Sequence, residues 1–209
     1  IYKIFNNNDL DENILRPFKK PFSSNGGINV VTGNIGKGIV KISSVKPAHQ
    51  KICEQAEIFE TPEEFSKAFE KGSLNKNCVV VIRGQGPKSN GMPELHSLNP
   101  ILSVIQNLGY RIALITDGRM SGASGSVLTV VHVTPETNEG GVISKIKKSD
   151  FIEIDAQKGT MNVKINNTIL DKRLVRYTRT DYSSGYGREL FKTNRNQVTS
   201  SDTGAISIG

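Results

Sequence analysis

The sequence predicts an α/β domain built on a mixed sheet with flanking helices, and three features of the chain predict it. Short apolar runs rich in β-branched residues recur at 78–83, 111–115 and 127–133, the composition of buried strands. Glycine-rich loops follow the first two, with a helical stretch at about 99–108 between them, so the order is strand, loop, helix, strand. Polar and apolar residues alternate at 149–155 and again at 161–165 around Lys158-Gly159-Thr160, which reads as a hairpin with one solvated face.

The 209 residues suffice for one good-sized domain. The chain opens on isoleucine with no signal-peptide succession, so it is expected to be part of something longer. No apolar run approaches the roughly 20 residues of a membrane span, and two cysteines suit a reducing cytoplasm rather than a disulfide framework. Lysine and arginine outnumber acids 27 to 20, a net charge of +7 that would draw nucleic acid or a small anionic substrate alike. The basic residues are scattered and aromatics make up only 6%, so no stacking platform for nucleic acid is legible.

In chain order, residues 1–25 form an irregular lead-in: Asn6-Asn7-Asn8-Asp9 is turn-rich and Pro17 and Pro21 forbid continuous helix. Gly26-Gly27 open a strand at 28–32, and Gly33-Asn34-Ile35-Gly36-Lys37-Gly38 lead to a second at 39–43, as a hairpin or a tight crossover. The loop is no dinucleotide fingerprint, because a strand follows it rather than a helix. A strand at 55–60 gives way to Thr61-Pro62-Glu63-Glu64, with an N-cap threonine, proline at the first helical position and glutamate to close a capping box. Phe65, Ala68 and Phe69 stripe that helix and Gly72 stops it.

The run at 78–83 is the most strongly apolar and is expected as a central strand. It empties into Gly84-Gln85-Gly86-Pro87-Lys88-Ser89-Asn90-Gly91-Met92-Pro93-Glu94-Leu95-His96, and the strand at 111–115 into Thr116-Asp117-Gly118-Arg119-Met120-Ser121-Gly122-Ala123-Ser124-Gly125. If the two strands are parallel neighbours, both loops leave one edge of the sheet and Glu94 meets Ser121. Residue types alone leave a plainer account open at both positions. Ser, Asp and Gly make good turns by themselves, and a lone glutamate after proline is ordinarily a solvated helix-start carboxylate. His132 alternates with apolar neighbours, as a core or boundary histidine does rather than a ligand, and His49 and His96 are similarly isolated. Lys172, Arg173, Arg176, Arg179 and Arg188 read as a phosphate site or, more simply, as a solvated face.

Thr116 to Gly125 resembles the signature of the dehydratase family that contains the dihydroxy-acid and 6-phosphogluconate dehydratases. Further ordered segments are similar to that family: 26–45, Gly91-Met92-Pro93-Glu94, His132-Val133-Thr134-Pro135-Glu136, Gly140-Gly141, 149–155 and Gly185-Tyr186-Gly187-Arg188-Glu189-Leu190-Phe191. The loop at 83–96, with Met120, Ala123 and Ser124, resembles the sugar-phosphate branch. Gly84 departs from the pattern by standing where an aromatic is expected, a loss that should loosen packing at that corner.

The resemblance implies a C-terminal domain over 26–209, a swivelling β-barrel-like domain with flanking helices, preceded by an interdomain lead-in and separated here from an N-terminal cluster-binding domain. It implies loss of water from 6-phosphogluconate, in the Entner-Doudoroff pathway. Ser121 would be the base and Glu94 a ligand of magnesium, with Gly118, Arg119, Gly122 and Ser124 contacting substrate. An iron-sulfur cluster of the 4Fe-4S type would be held by the absent N-terminal domain, since neither Cys53 nor Cys78 falls in a cluster motif. Cys78, at the start of a core strand, reads as buried packing. The chain alone is therefore expected to be inactive, and the full-length enzyme to be a cytoplasmic homodimer. Two alternatives stand beside this: a domain of a dihydroxy-acid or other sugar-acid dehydratase, and a non-catalytic ligand-binding module.

Overall fold

The computed structural model of the chain describes residues 11–23, 26–121, 125–175, 185, 187 and 189–207. Eight strands close into a barrel. In chain order they are β1 (Ile28–Gly33), β2 (Gly36–Lys41), β3 (Lys51–Phe59), β4 (Cys78–Ile82), β5 (Ile112–Thr116), β6 (Leu128–Thr134), β7 (Phe151–Asp155) and β8 (Thr160–Val163). Around the barrel they run β1-β2-β6-β5-β4-β3-β7-β8. Strands β3, β4, β5 and β6 are mutually parallel. The remaining joins are antiparallel, except the short parallel contact of Thr32 with Thr160 that brings β1 onto β8. A mixed barrel flanked by helices is the architecture the resemblance implied.

The helices are α1 (Pro62–Glu70), α2 (Pro87–Asn90), α3 (Leu98–Asn107), α4 (Asn167–Lys172) and α5 (Lys192–Gln197). The start of α1 follows its sequence signature: Thr61 Oγ1 accepts the Glu64 N–H at 3.2 Å. Glu64 reaches back one residue further than a capping box does, to the Glu60 N–H at 2.8 Å. Gly72, at φ 69°, ends the segment in the left-handed region. Helices α2 and α4 are about one turn long and leave no periodic signal in the sequence.

The continuous apolar run of β4 is explained by burial on both sides. Val79 and Val81 point into the barrel, with Ala113 and Ile115 of β5. Cys78, Val80 and Ile82 point outward with Ile112 and Leu114, under Phe65 of α1 and Leu98, Leu102 and Ile105 of α3. Each such large apolar side chain taken from water contributes about 1.5–3 kcal/mol, so these two layers fix β4 and β5 at the centre.

Two expected strands have different bounds. The strand placed at 55–60 begins at Lys51, because antiparallel pairing with β7 extends it from Lys51↔Asp155. The strand placed at 39–43 begins at Gly36, because the 26–45 segment is a hairpin with Gly33 opposite Gly36. Asn34 at its tip holds β8 through both side-chain groups, donating to the Val163 carbonyl and accepting the Val163 N–H, each at 2.8 Å.

Candidate active site

Strands β4 and β5 run side by side in register, Ile82 beside Thr116, so their glycine-rich loops leave the same end of the barrel. Asp117, fully buried at the foot of the second loop, ties them together. Its Oδ1 accepts the Gln85 N–H at 2.8 Å, and its Oδ2 accepts those of Gly84 at 3.1 Å and Thr137 at 2.9 Å. One carboxylate thus joins the segments that follow β4, β5 and β6. Burial pushes its pKa up, against the pull of these hydrogen bonds. Glu136 plays a parallel part beneath α2, accepting from the Lys88 N–H at 3.1 Å and Ser89 Oγ at 2.9 Å. Burial raises its pKa as well.

Gly84 does not loosen its corner. It lies at φ 75°, a conformation glycine adopts without steric cost, and its N–H is shared between Asp117 Oδ2 and Thr137 Oγ1, the latter at 3.0 Å. The glycine supplies the turn that brings the loop onto Asp117.

Above this floor Glu94 and Ser121 meet. Glu94 Oε1 accepts the Ser121 N–H at 2.8 Å and the His96 N–H at 3.0 Å. Its Oε2 pairs with Arg119 Nη1 at 2.9 Å, while Arg119 Nε donates to the Met92 carbonyl at 2.8 Å. Glu94 and Arg119 also share a parallel backbone bridge, with the Leu95 N–H on the Arg119 carbonyl at 3.2 Å. Both Ser121 and Glu94 are exposed, so a ligand has access to the serine and the carboxylate together.

The other expected contacts divide. Arg119 is at the site, spanning Glu94 and Met92. Gly118 faces inward: its N–H donates to Thr116 Oγ1 at 3.0 Å and its carbonyl accepts the His132 N–H at 2.9 Å. A Cβ there would stand 2.7 Å from Gln85 Cβ and 2.9 Å from Leu95 Cδ1, so Gly118 is a close-packing position between the two loops. Gly122 and Ser124 lie outside the described residues. So do Arg176, Arg179 and Arg188; of the rest of that basic run, Lys172 is exposed, as on a solvated face, whereas Arg173 is turned into a largely buried pair with Asp150 and donates to the Lys145 carbonyl.

Two residues that sequence reasoning did not assign to the site stand close to it. Asp117 was hidden among turn formers; its only signal is a carboxylate at the end of a fully buried strand. His132 is half-buried, lowered in pKa by burial and by the Arg119 charge, and lines the same cavity as Ser121.

The chain's own residues do not fit an iron-sulfur cluster. Cys53 is exposed on β3, and burial pushes the Cys78 thiol up to about 12, far from the thiolate that a cluster takes as ligand. Magnesium prefers carboxylate oxygens and keeps waters or substrate oxygens in its shell. Glu94 Oε1 already accepts two N–H groups, so Oε2, exposed and shared with Arg119, is the oxygen that would join such a shell, and the described residues hold no group of three or more His, Cys, Asp or Glu that could form a metal site.

Parallel β4 and β5 thus bring an exposed carboxylate, an arginine and a serine loop onto one corner of the barrel. Residues 13–205 match the Dihydroxy-acid/6-phosphogluconate dehydratase C-terminal family, and the chain belongs to that family. The Phosphogluconate dehydratase of Pseudomonas aeruginosa is 43% identical over 95% of this chain and 33% of its own length. That of Helicobacter pylori is 41% identical over 100% of this chain and 35% of its own. The Dihydroxy-acid dehydratase of Caldanaerobacter subterraneus is 36% identical over 94% of this chain and 35% of its own. The chain therefore spans about a third of the length of these relatives.

Proposed function

We propose that this chain is the C-terminal domain of a hydro-lyase that converts 6-phosphogluconate to 2-dehydro-3-deoxy-6-phosphogluconate and water, with Ser121 as the base. The observation that carries the proposal is the 2.8 Å bond from the Ser121 N–H to Glu94 Oε1, which seats a hydroxyl and a carboxylate on one exposed corner. The names of the relatives above supply the substrate class.

The proton on C2, beside the substrate carboxylate, is weakly acidic, so its removal needs a positioned base. Ser121, as the alkoxide, takes it at Oγ and becomes the alcohol. Arg119, across the corner, places a fixed positive charge where negative charge develops, in a setting that needs no reorganisation. Glu94 holds the Ser121 backbone in place and offers one oxygen to a magnesium ion, which when bound would favour the serine anion and the substrate carboxylate. An iron-sulfur cluster, if held by an N-terminal domain of the full-length protein, would supply a Lewis acid for the leaving C3 hydroxyl. That protein is proposed to act as a cytoplasmic homodimer, which light scattering on the purified enzyme would check. Among the described residues no helix is long and apolar enough to cross a membrane.

The test is Ser121→Ala in the full-length protein, which should lower the dehydration rate by about 10²-fold or more. A rate near wild type would leave Ser121 as turn chemistry. A second reading, dehydration of a branched dihydroxy acid, is favoured by the apolar walls that Ile39 and Val131 give the cavity beside Ser121. A substrate panel separates the two.

A further inference from the structure

Strand β6 breaks its own alternation beside the site. Leu128 and Val130 point into the barrel, so a period of two would send residue 132 inward after them. Instead Val133 is the next side chain inside. The pairing with β2 slips between Lys37↔Thr134 and Ile39↔Val131, leaving His132 and Val133 opposite Gly38. This is a bulge, a device that re-aims a side chain and is common next to active sites. His132 adopts φ 58° in it, an uncommon conformation for a residue with a side chain. Its N–H is held by the Gly118 carbonyl at 2.9 Å, so the bulge is tied to the corner that carries Ser121.

The imidazole turned out of the barrel lines a cavity of about 330 Å³ with Ser121 and Met120 from the corner, Ile39 and Val131 from the barrel wall, and Lys41. Mostly apolar walls with a few converging polar groups are the usual make-up of a small-molecule site. We propose that this cavity receives the hydroxyl-bearing carbon chain of the substrate, and that His132 is a substrate-contacting residue whose ring hydrogen-bonds one of its hydroxyls. Burial and the Arg119 charge favour the neutral ring, which has one N–H donor and one bare nitrogen acceptor. A hydroxyl offers the complementary pair. The inference rests on the dehydratase reading and adds a specificity group to it.

The experiment uses the full-length protein with 6-phosphogluconate. His132→Gly removes the ring and suits the left-handed backbone, and His132→Asn keeps a polar group that tolerates it. His132→Gly should raise KM by about tenfold, the worth of one hydrogen bond, with an unfolding midpoint no lower than wild type, and free imidazole should restore binding. His132→Asn should fall between. A KM within about twofold of wild type for His132→Gly, or a rise that imidazole does not relieve, would overturn the assignment and leave the histidine as a bulge residue. Failure of the underlying reading looks different: the wild-type full-length protein would dehydrate no hydroxy acid, or Ser121→Ala would run at the normal rate.

Discussion

Glu94 and Ser121, 27 residues apart in sequence, are joined by a 2.8 Å hydrogen bond from the serine backbone to the carboxylate. The same carboxylate holds Arg119, so removing it unseats a loop and frees a cation in one step. Because Glu94 is exposed, its ion pair adds little to stability, about 0–1 kcal/mol. Glu94→Ala in the full-length enzyme should therefore leave the thermal midpoint almost unchanged and cut dehydration by about 10²-fold or more. Loss of the fold together with the activity would show the carboxylate to be structural.

Asp117 should behave oppositely. Its carboxylate accepts three backbone N–H groups in the interior; without it those of Gln85 and Thr137 lose this acceptor while Gly84 keeps Thr137 Oγ1, and each orphaned donor costs about 1–3 kcal/mol. Asp117→Ala should lower unfolding free energy by several kcal/mol in a denaturant titration of this domain.

The sign of the pH effect at Asp117 follows from its raised pKa. The folded state binds this proton more tightly than the unfolded chain, so the contribution is fully present below 3.8 and is lost as pH rises through the folded value. Asp117→Asn, which cannot titrate, lacks that slope. The stability gap between wild type and Asp117→Asn should narrow as pH climbs from about 4 toward neutrality; a gap that widens would mean the folded carboxyl is depressed instead.

The two thiols should differ in reactivity. Cys53 is exposed, whereas Cys78 is buried and raised to about 12, and the thiolate is the nucleophile. At pH 8 a disulfide reagent should label one cysteine per native chain rapidly, and both only after denaturation.

Gly86 packs its α-carbon against the buried Glu136 carboxylate, where an added Cβ would stand 2.2 Å from Oε2. Gly86→Ala must push that carboxylate off Lys88 and Ser89, and overpacking of this kind costs about 1–3 kcal/mol. A wild-type denaturation midpoint for this variant would refute the packing argument.

Much of this is legible in the sequence. The β4 run announces itself because both faces are buried, Val79 inward and Val80 outward, and a parallel β4 and β5 oblige the loops bearing Glu94 and Ser121 to share an end. Thr61 and Pro62 marked the α1 boundary because capping is a local interaction. Gly84 and Gly118 show why the rest is not legible: a glycine in a loop reads the same whether it frees an N–H for a ligand or lets two loops close on each other.

The sequence by itself determined the order of the strands and of the longer helices α1 and α3, the resemblance to a dehydratase family and the meeting of Glu94 with Ser121, since each is written in local periodicity and short motifs. Only the tertiary structure decided which strands stand side by side around the barrel, that Asp117 ties three loops together and that a bulge turns His132 out toward Ser121. Those depend on strand register and on contacts between distant segments, and a shift of one residue in register sends a side chain to the opposite face.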